Sequence, residues 1–122
     1  NDVSNELVEI INSTINKTVL ITDRDKFIAG AGNLKKKYLD ANISRYLESV
    51  MKDRKSLVEV SIHSVELLEG LKESLAYVVQ PIIINGDAIG LVLVISEKAD
   101  ITQLDEKLIS FAAQFLGKHI EE

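Results

Sequence analysis

The chain has no cysteine at any of its 122 positions. That absence removes disulfides, thiolate nucleophiles, iron–sulfur clusters and cysteine-type zinc sites. It is compatible with a reducing compartment, and the cytoplasm is the expected location. Proline occurs once, and no stretch is rich in glycine, serine and proline, so no linker divides the chain. Hydrophobic residues make up 46%, which is too many for disorder and enough for one core. Long apolar runs are also missing. The segments Val78–Ile84 and Ile89–Ile95 fall far short of a bilayer-spanning helix, and no membrane partner is expected. Basic residues are the minority, 14 against 19 acidic, for a net charge of −5. A phosphate backbone demands clustered lysine and arginine, so this chain alone is not expected to bind nucleic acid. The N-terminus shows no signal-peptide pattern. The first residue is Asn1, not methionine, so the chain is expected to be a fragment of a longer protein.

What is present is a set of strong periodicities. Over Asp2–Asn16, Val3, Leu7, Ile11 and Ile15 recur every four residues, which predicts a helix with Asp2 or Ser4 as its cap. Thr18–Asp23 is rich in β-branched residues and predicts a strand. Arg24-Asp25-Lys26 predicts a turn, and Phe27–Gly30 an antiparallel return. Short helices are expected over Leu34–Asp40 and from Arg45 to about Lys55, the second capped by Ser44. Leu57–Val60 and Ser64–Leu68 predict short extended segments, and Gly70–Ser74 a loop.

The strongest local pattern is Leu75–Ile84, Asn85-Gly86-Asp87 and Ala88–Ser96, two apolar runs joined by a dipeptide suited to a type I′ turn. Both runs are apolar at both parities, which predicts central strands covered on both faces. Pro81 has no N–H for a ladder and predicts a bulge or break, while Gly90 predicts a close backbone approach or another bulge. Over Thr102–Glu122, Leu104, Leu108, Phe111, Phe115 and Ile120 define an apolar stripe, widened by Ile109, Ala112, Ala113 and Leu116. Thr102 with Asp105 predicts a capping box. The mixed order of helices and strands predicts an α+β domain with an antiparallel sheet, occupying residues 1–122 as one unit.

The stretch VVQPIIINGDAIGLVLVIS resembles the closing hairpin of a GAF domain. Together with TVLITDRDKFIAGAG and LKKKYLDANIS, the likeness sharpens to the C-terminal domains of the stage V sporulation protein T family, transcription factors of spore-forming bacteria. The resemblance covers essentially the whole chain. It implies a GAF-like α+β fold, with a central antiparallel sheet, the N- and C-terminal helices on one face, and a short helix plus loops on the other. It implies a regulatory role behind a DNA-binding domain of the transition-state-regulator type that this chain lacks, so DNA would be bound only through that absent domain. It also implies assembly into a dimer through the terminal helices, with a tetramer possible in the full-length protein, and an unidentified small-molecule effector. Departures from other GAF subfamilies matter too. Cysteine-attached bilins and cysteine-based methionine-sulfoxide reduction are excluded by residue type. Asn16-Lys17 lacks the companions of a cyclic-nucleotide signature.

The candidate residues follow. The apolar width of the terminal helices nominates Leu7, Ile11, Ile15, Leu108, Phe111 and Phe115 for a dimer interface. Tyr46, His63, Tyr77 and Gln80 are polar-tipped candidates to line an effector pocket between the sheet and the Gly32–Leu68 region. His63 and His119 stand on different elements without acidic companions at ligand spacing, so no metal and no cofactor are expected. Asp23, Arg24 and Asp25 form either a small polar site or a turn, and their setting between two strands favours the turn. Lys35-Lys36-Lys37 is either a phosphate contact or a solvated helix face, and the acidic context favours the face. Gly30-Ala31-Gly32 lacks the lysine and hydroxyl of a phosphate loop. No nucleophile–base pair emerges, so no catalytic residue and no enzyme activity are expected.

Overall fold

The computed structural model describes residues 2–121, and the side chains of residues 3–119. Nine elements follow one another: α1 (Asp2–Ile15), β1 (Thr18–Thr22), β2 (Phe27–Ala31), α2 (Lys35–Tyr38), α3 (Arg45–Asp53), β3 (Leu57–Leu68), β4 (Leu71–Ile84), β5 (Asp87–Ser96) and α4 (Gln103–Glu121). The five strands form one sheet in the order β2-β1-β5-β4-β3, and every pairing is antiparallel. The α+β prediction holds. Apolar residues at both parities of β1, β4 and β5 feed two separate cores, because successive side chains of a strand leave on opposite faces. Leu20, Tyr77, Val79, Leu91 and Leu93 pack beneath α2 and α3. Val19, Ile21, Val78, Val92 and Val94 pack beneath α1 and α4.

The β4–β5 hairpin turns through Asn85 (φ 51°) and Gly86 (φ 83°), the left-handed pair that a type I′ turn requires. The predicted irregularity sits two residues beyond Pro81. Ile82 pairs Gly90 and Ile83 pairs Ala88, which leaves Ile89 as the extra residue of a bulge. Gly90 allows the close approach expected of it, since a Cβ there would lie 2.1 Å from the Thr22 carbonyl oxygen.

Two expectations need correction. The two short segments around residue 60 are one strand, β3, whose register slips between Glu59 and His63 so that Val60–Ile62 bulge from the ladder. The loop expected at Gly70–Ser74 is the start of β4. Its polar residues Lys72 and Ser74 are exposed on one face of the β3–β4 ribbon while Val65, Leu67 and Leu75 on the other face are buried in the core, so polarity there marks solvent and not a break. The turn itself is confined to Glu69 and Gly70, where φ is 86°.

The caps hold where they are described. Ser44 Oγ accepts the Leu47 N–H at 3.1 Å and starts α3. At α4 the Thr102 N–H donates to Asp105 Oδ2 at 2.9 Å and the Asp105 N–H to Thr102 Oγ1 at 3.2 Å, a reciprocal capping box. Ser4 lies inside α1 and is buried, so it does not cap that helix; the side chain of Asp2 lies outside the described residues.

Candidate functional site

Lys17, just past the end of α1, pairs with Asp105 at the start of α4 at 3.0 Å. At the other end, Ser4 of α1 and Leu116 of α4 border one small cavity. The two helices therefore run antiparallel, side by side, over one face of the sheet. Ile109, Ala112, Ala113 and Leu116 of α4 pack against the sheet, and Gly117 meets it most closely, since a Cβ there would lie 2.8 Å from the Ile83 carbonyl oxygen. The expected stripe is thus corrected by one helical face. Leu104, Phe111 and Phe115 point outward, 55%, 60% and 42% exposed, and the side chain of Ile120 lies outside the described residues. Spacing of three and four residues aligns Leu104, Leu108, Phe111 and Phe115 along α4. Phe111 and Phe115 stack with centroids 6.1 Å apart, and the His119 ring continues the stack at 6.0 Å.

On α1, Ile10 is 62% exposed, while Val3, Leu7 and Ile15 are half-buried at the margin of the core. Of the six interface candidates, Leu7, Ile15, Leu108, Phe111 and Phe115 keep surface available. Ile11 does not: it is buried within the chain's own core, because it faces the sheet beside Val8. Ile10 and Leu104, outside the six candidates, are also exposed apolar residues of these two helices.

The four pocket candidates are not brought together. Tyr46 and Tyr77 do meet, with hydroxyl oxygens 3.1 Å apart and rings edge to face at 6.5 Å. Burial, and then the Tyr46 hydroxyl, push the Tyr77 pKa above the usual tyrosine value. His63 stands on edge strand β3, more than half exposed, with Nε2 2.8 Å from Glu59 Oε2. Gln80 pairs Val92, whose side chain belongs to the core beneath α1 and α4, so period-two alternation sets it on the face opposite Tyr77. Beneath α2 and α3 the expected pocket region holds packed side chains, including Phe27 and Tyr38 edge to face at 5.1 Å. The Tyr38 hydroxyl donates to Glu73, and Lys37 Nζ approaches the same carboxylate at 2.5 Å. That hydrogen bond to Glu73 is the main cause raising the Lys37 pKa. This anchor holds α2, a four-residue helix whose start has no side-chain cap.

Asp23-Arg24-Asp25 forms the turn favoured above: Asp23 Oδ1 accepts the N–H groups of Asp25 and Lys26, both at 2.7 Å. The lysine run is not a uniform solvated face, since Lys37 is committed to Glu73. Among the described residues no group of three or more His, Asp or Glu is placed to hold a metal ion, and no helix is long and apolar enough to cross a membrane.

The sheet order, the capped terminal helix and the bulged Asn-Gly hairpin agree with the resemblance drawn above, and comparison with known proteins decides it. The family model "Stage V sporulation protein T C-terminal, transcription factor" matches residues 1–121. The chain belongs to this family. Stage V sporulation protein T of Bacillus subtilis (strain 168) is 37% identical over 122 residues, which covers 99% of this chain and 68% of that protein. The chain is thus a regulatory C-terminal domain of the stage V sporulation protein T type. Solved structures show its fold to be that of a GAF domain. The GAF domain of an Acinetobacter phosphoenolpyruvate-protein phosphotransferase superimposes with a TM-score of 0.80 at 12% identity, covering 98% of this chain and 81% of that one. A type II free methionine-R-sulfoxide reductase from Thermoplasma acidophilum gives a TM-score of 0.76 at 15% identity, covering 98% and 91%. That likeness concerns the fold, because this stage V sporulation protein T-type domain carries no cysteine.

Proposed function

We propose that this domain is the sensor and oligomerisation module of a cytoplasmic sporulation regulator, and that two copies associate through the outward faces of α1 and α4 as a four-helix bundle. The observation that carries the reading is the row of exposed apolar side chains, Ile10 on α1 with Leu104, Phe111 and Phe115 on α4, on helices already set side by side. Large apolar residues aligned on one exposed face mark an association surface. A two-fold pair of such domains would hold two DNA-binding modules at a defined spacing, matched to operator half-sites, and a further interface would build a tetramer in the full-length protein. A small effector would act by favouring one arrangement of the pair over another. DNA would be contacted by another domain, and the part played by this one would be regulatory rather than catalytic.

Sedimentation velocity tests this. The chain should sediment as a dimer, and Phe115→Glu, which adds a charge to the shared face, should yield a folded monomer. A wild-type monomer at high concentration would refute the assembly. A second reading, a scaffold without effector, is favoured by the packed core beneath α2 and α3, where the expected pocket would lie.

A further inference from the structure

The tip of the β4–β5 hairpin is gripped from two sides. Arg54, at the C-terminus of α3, donates from Nη1 to the Gly86 carbonyl at 2.8 Å. Arg24, in the β1–β2 turn, donates from Nε to the Ala88 carbonyl at 3.4 Å. The two arginines are far apart in sequence and converge on carbonyls two residues apart. Arg54 closes α3 with φ 57°, so its backbone turns out of the helix where its side chain reaches for the hairpin. Between these elements lies a cleft of about 510 Å³, largely open to solvent and in volume within the range of small-molecule sites. Its walls carry three cations, Arg24, Lys52 and Arg54, and three carboxylates, Asp25, Glu48 and Asp87, over an apolar patch of Met51 and Ala88. The ion pairs among the described residues, Lys17–Asp105, Lys37–Glu73 and Glu59–His63, involve none of these six groups.

We infer that this cleft binds a free α-amino acid with an apolar side chain. Each guanidinium spends one N–H on the hairpin and carries four more, in a planar fork that matches a carboxylate. Carboxylates accept only, which suits the three N–H groups of an ammonium. Met51 offers a pliable apolar contact for the side chain. The even balance of charge argues against a nucleotide or another polyanion, which would meet Asp25, Glu48 and Asp87 at close range. A bound amino acid would tie the β1–β2 turn, the end of α3 and the hairpin tip into one body.

The inference rests on the sensor reading above, and one set of samples separates the two. Backbone amide NMR spectra of the chain are recorded with each proteinogenic L-amino acid added singly. The amides of Arg24, Asp25, Gly86, Asp87 and Ala88 should shift and saturate with at least one apolar amino acid. The matching amine without a carboxyl group, and the matching acid without an amino group, should leave them unmoved. Arg24→Gln and Arg54→Gln, shown to be folded by the same spectra, should each weaken binding by about tenfold or more. The assignment is overturned if no amino acid moves these amides, if the carboxylic acid alone binds as well, or if both folded variants bind like the wild type. Sedimentation of the same samples keeps the readings apart. A dimer without amino-acid shifts removes the cleft and leaves the assembly. A monomer with specific shifts removes the assembly and leaves the cleft.

Discussion

The two faces of the sheet are covered in different ways. Beneath α2 and α3 the core is built from large side chains and is closed at its margins by polar anchors: Tyr38 on Glu73, Tyr46 on Tyr77, and Ser44 capping α3. Beneath α1 and α4 the core uses smaller residues, Ala29, Ala31, Ala112 and Ala113 among valines and isoleucines. The helices that cover it carry a second apolar row on their outer side. A sheet face needs one apolar stripe per covering helix. On the first face the covering helices end in solvent. On the second they end in hydrophobic surface, and that surplus is what the assembly reading uses.

Four substitutions probe the two faces separately. The largest effect is expected at Asp105, whose side chain is 1% exposed and ties α4 both to its own cap and to Lys17. Asp105→Ala removes one partner of a largely buried pair and should cost about 3–5 kcal/mol in chemical denaturation. On the opposite face, Leu47→Ala empties a fully buried site beneath α3 and should cost about 2–5 kcal/mol. Next comes Tyr38→Phe, which removes the hydroxyl bond to Glu73, leaves that carboxylate to Lys37 alone and should cost about 1–3 kcal/mol.

The same tyrosine gives a pH signature. Burial, and then the bond to Glu73, raise its pKa above the ordinary 10.0. The folded chain therefore holds this proton at a pH where the unfolded chain has lost it. The contribution is complete below about pH 10 and declines as pH rises further. Urea titrations at increasing alkalinity should show a steep loss in the wild type and a shallower one in Tyr38→Phe. The smallest effect on the fold belongs to Phe111→Ala. With the ring 60% exposed, the monomer should change by less than about 1 kcal/mol, whereas the dimer dissociation constant should rise.

Much of this architecture was legible because single residues carry strong local constraints. Asn85-Gly86 fixes the turn and therefore the β4–β5 register. Thr102 and Asp105 fix the start of α4, and Ser44 the start of α3. The parity of β5 announces two covered faces. Three features were not legible, each for a physical reason. Helical spacing places Phe111 and Ile109 on one broad stripe but does not say which edge meets the sheet; the small residues Ala112, Ala113 and Gly117 lie on the edge that does. Polar Lys72 and Ser74 read as loop because their face of the strand is open to solvent while the opposite face packs into the core. The cleft at the hairpin tip draws on the β1–β2 turn, the end of α3 and the β4–β5 turn, so no local window contains it. Arg54 shows no pattern until the fold brings it to Gly86.

The absence of cysteine permits the most direct test of the assembly. A single cysteine at exposed Lys107 on α4, or at exposed Lys36 on α2, takes one spin label per chain. Pulsed dipolar spectroscopy then measures the separation between two copies. The account predicts a clear dipolar distance for labels at 107, shorter than that for labels at 36, because the two sites lie on opposite sides of the sheet and only the first lies on the helical face proposed to be shared. No dipolar modulation at either site, or the shorter distance at position 36, would contradict it.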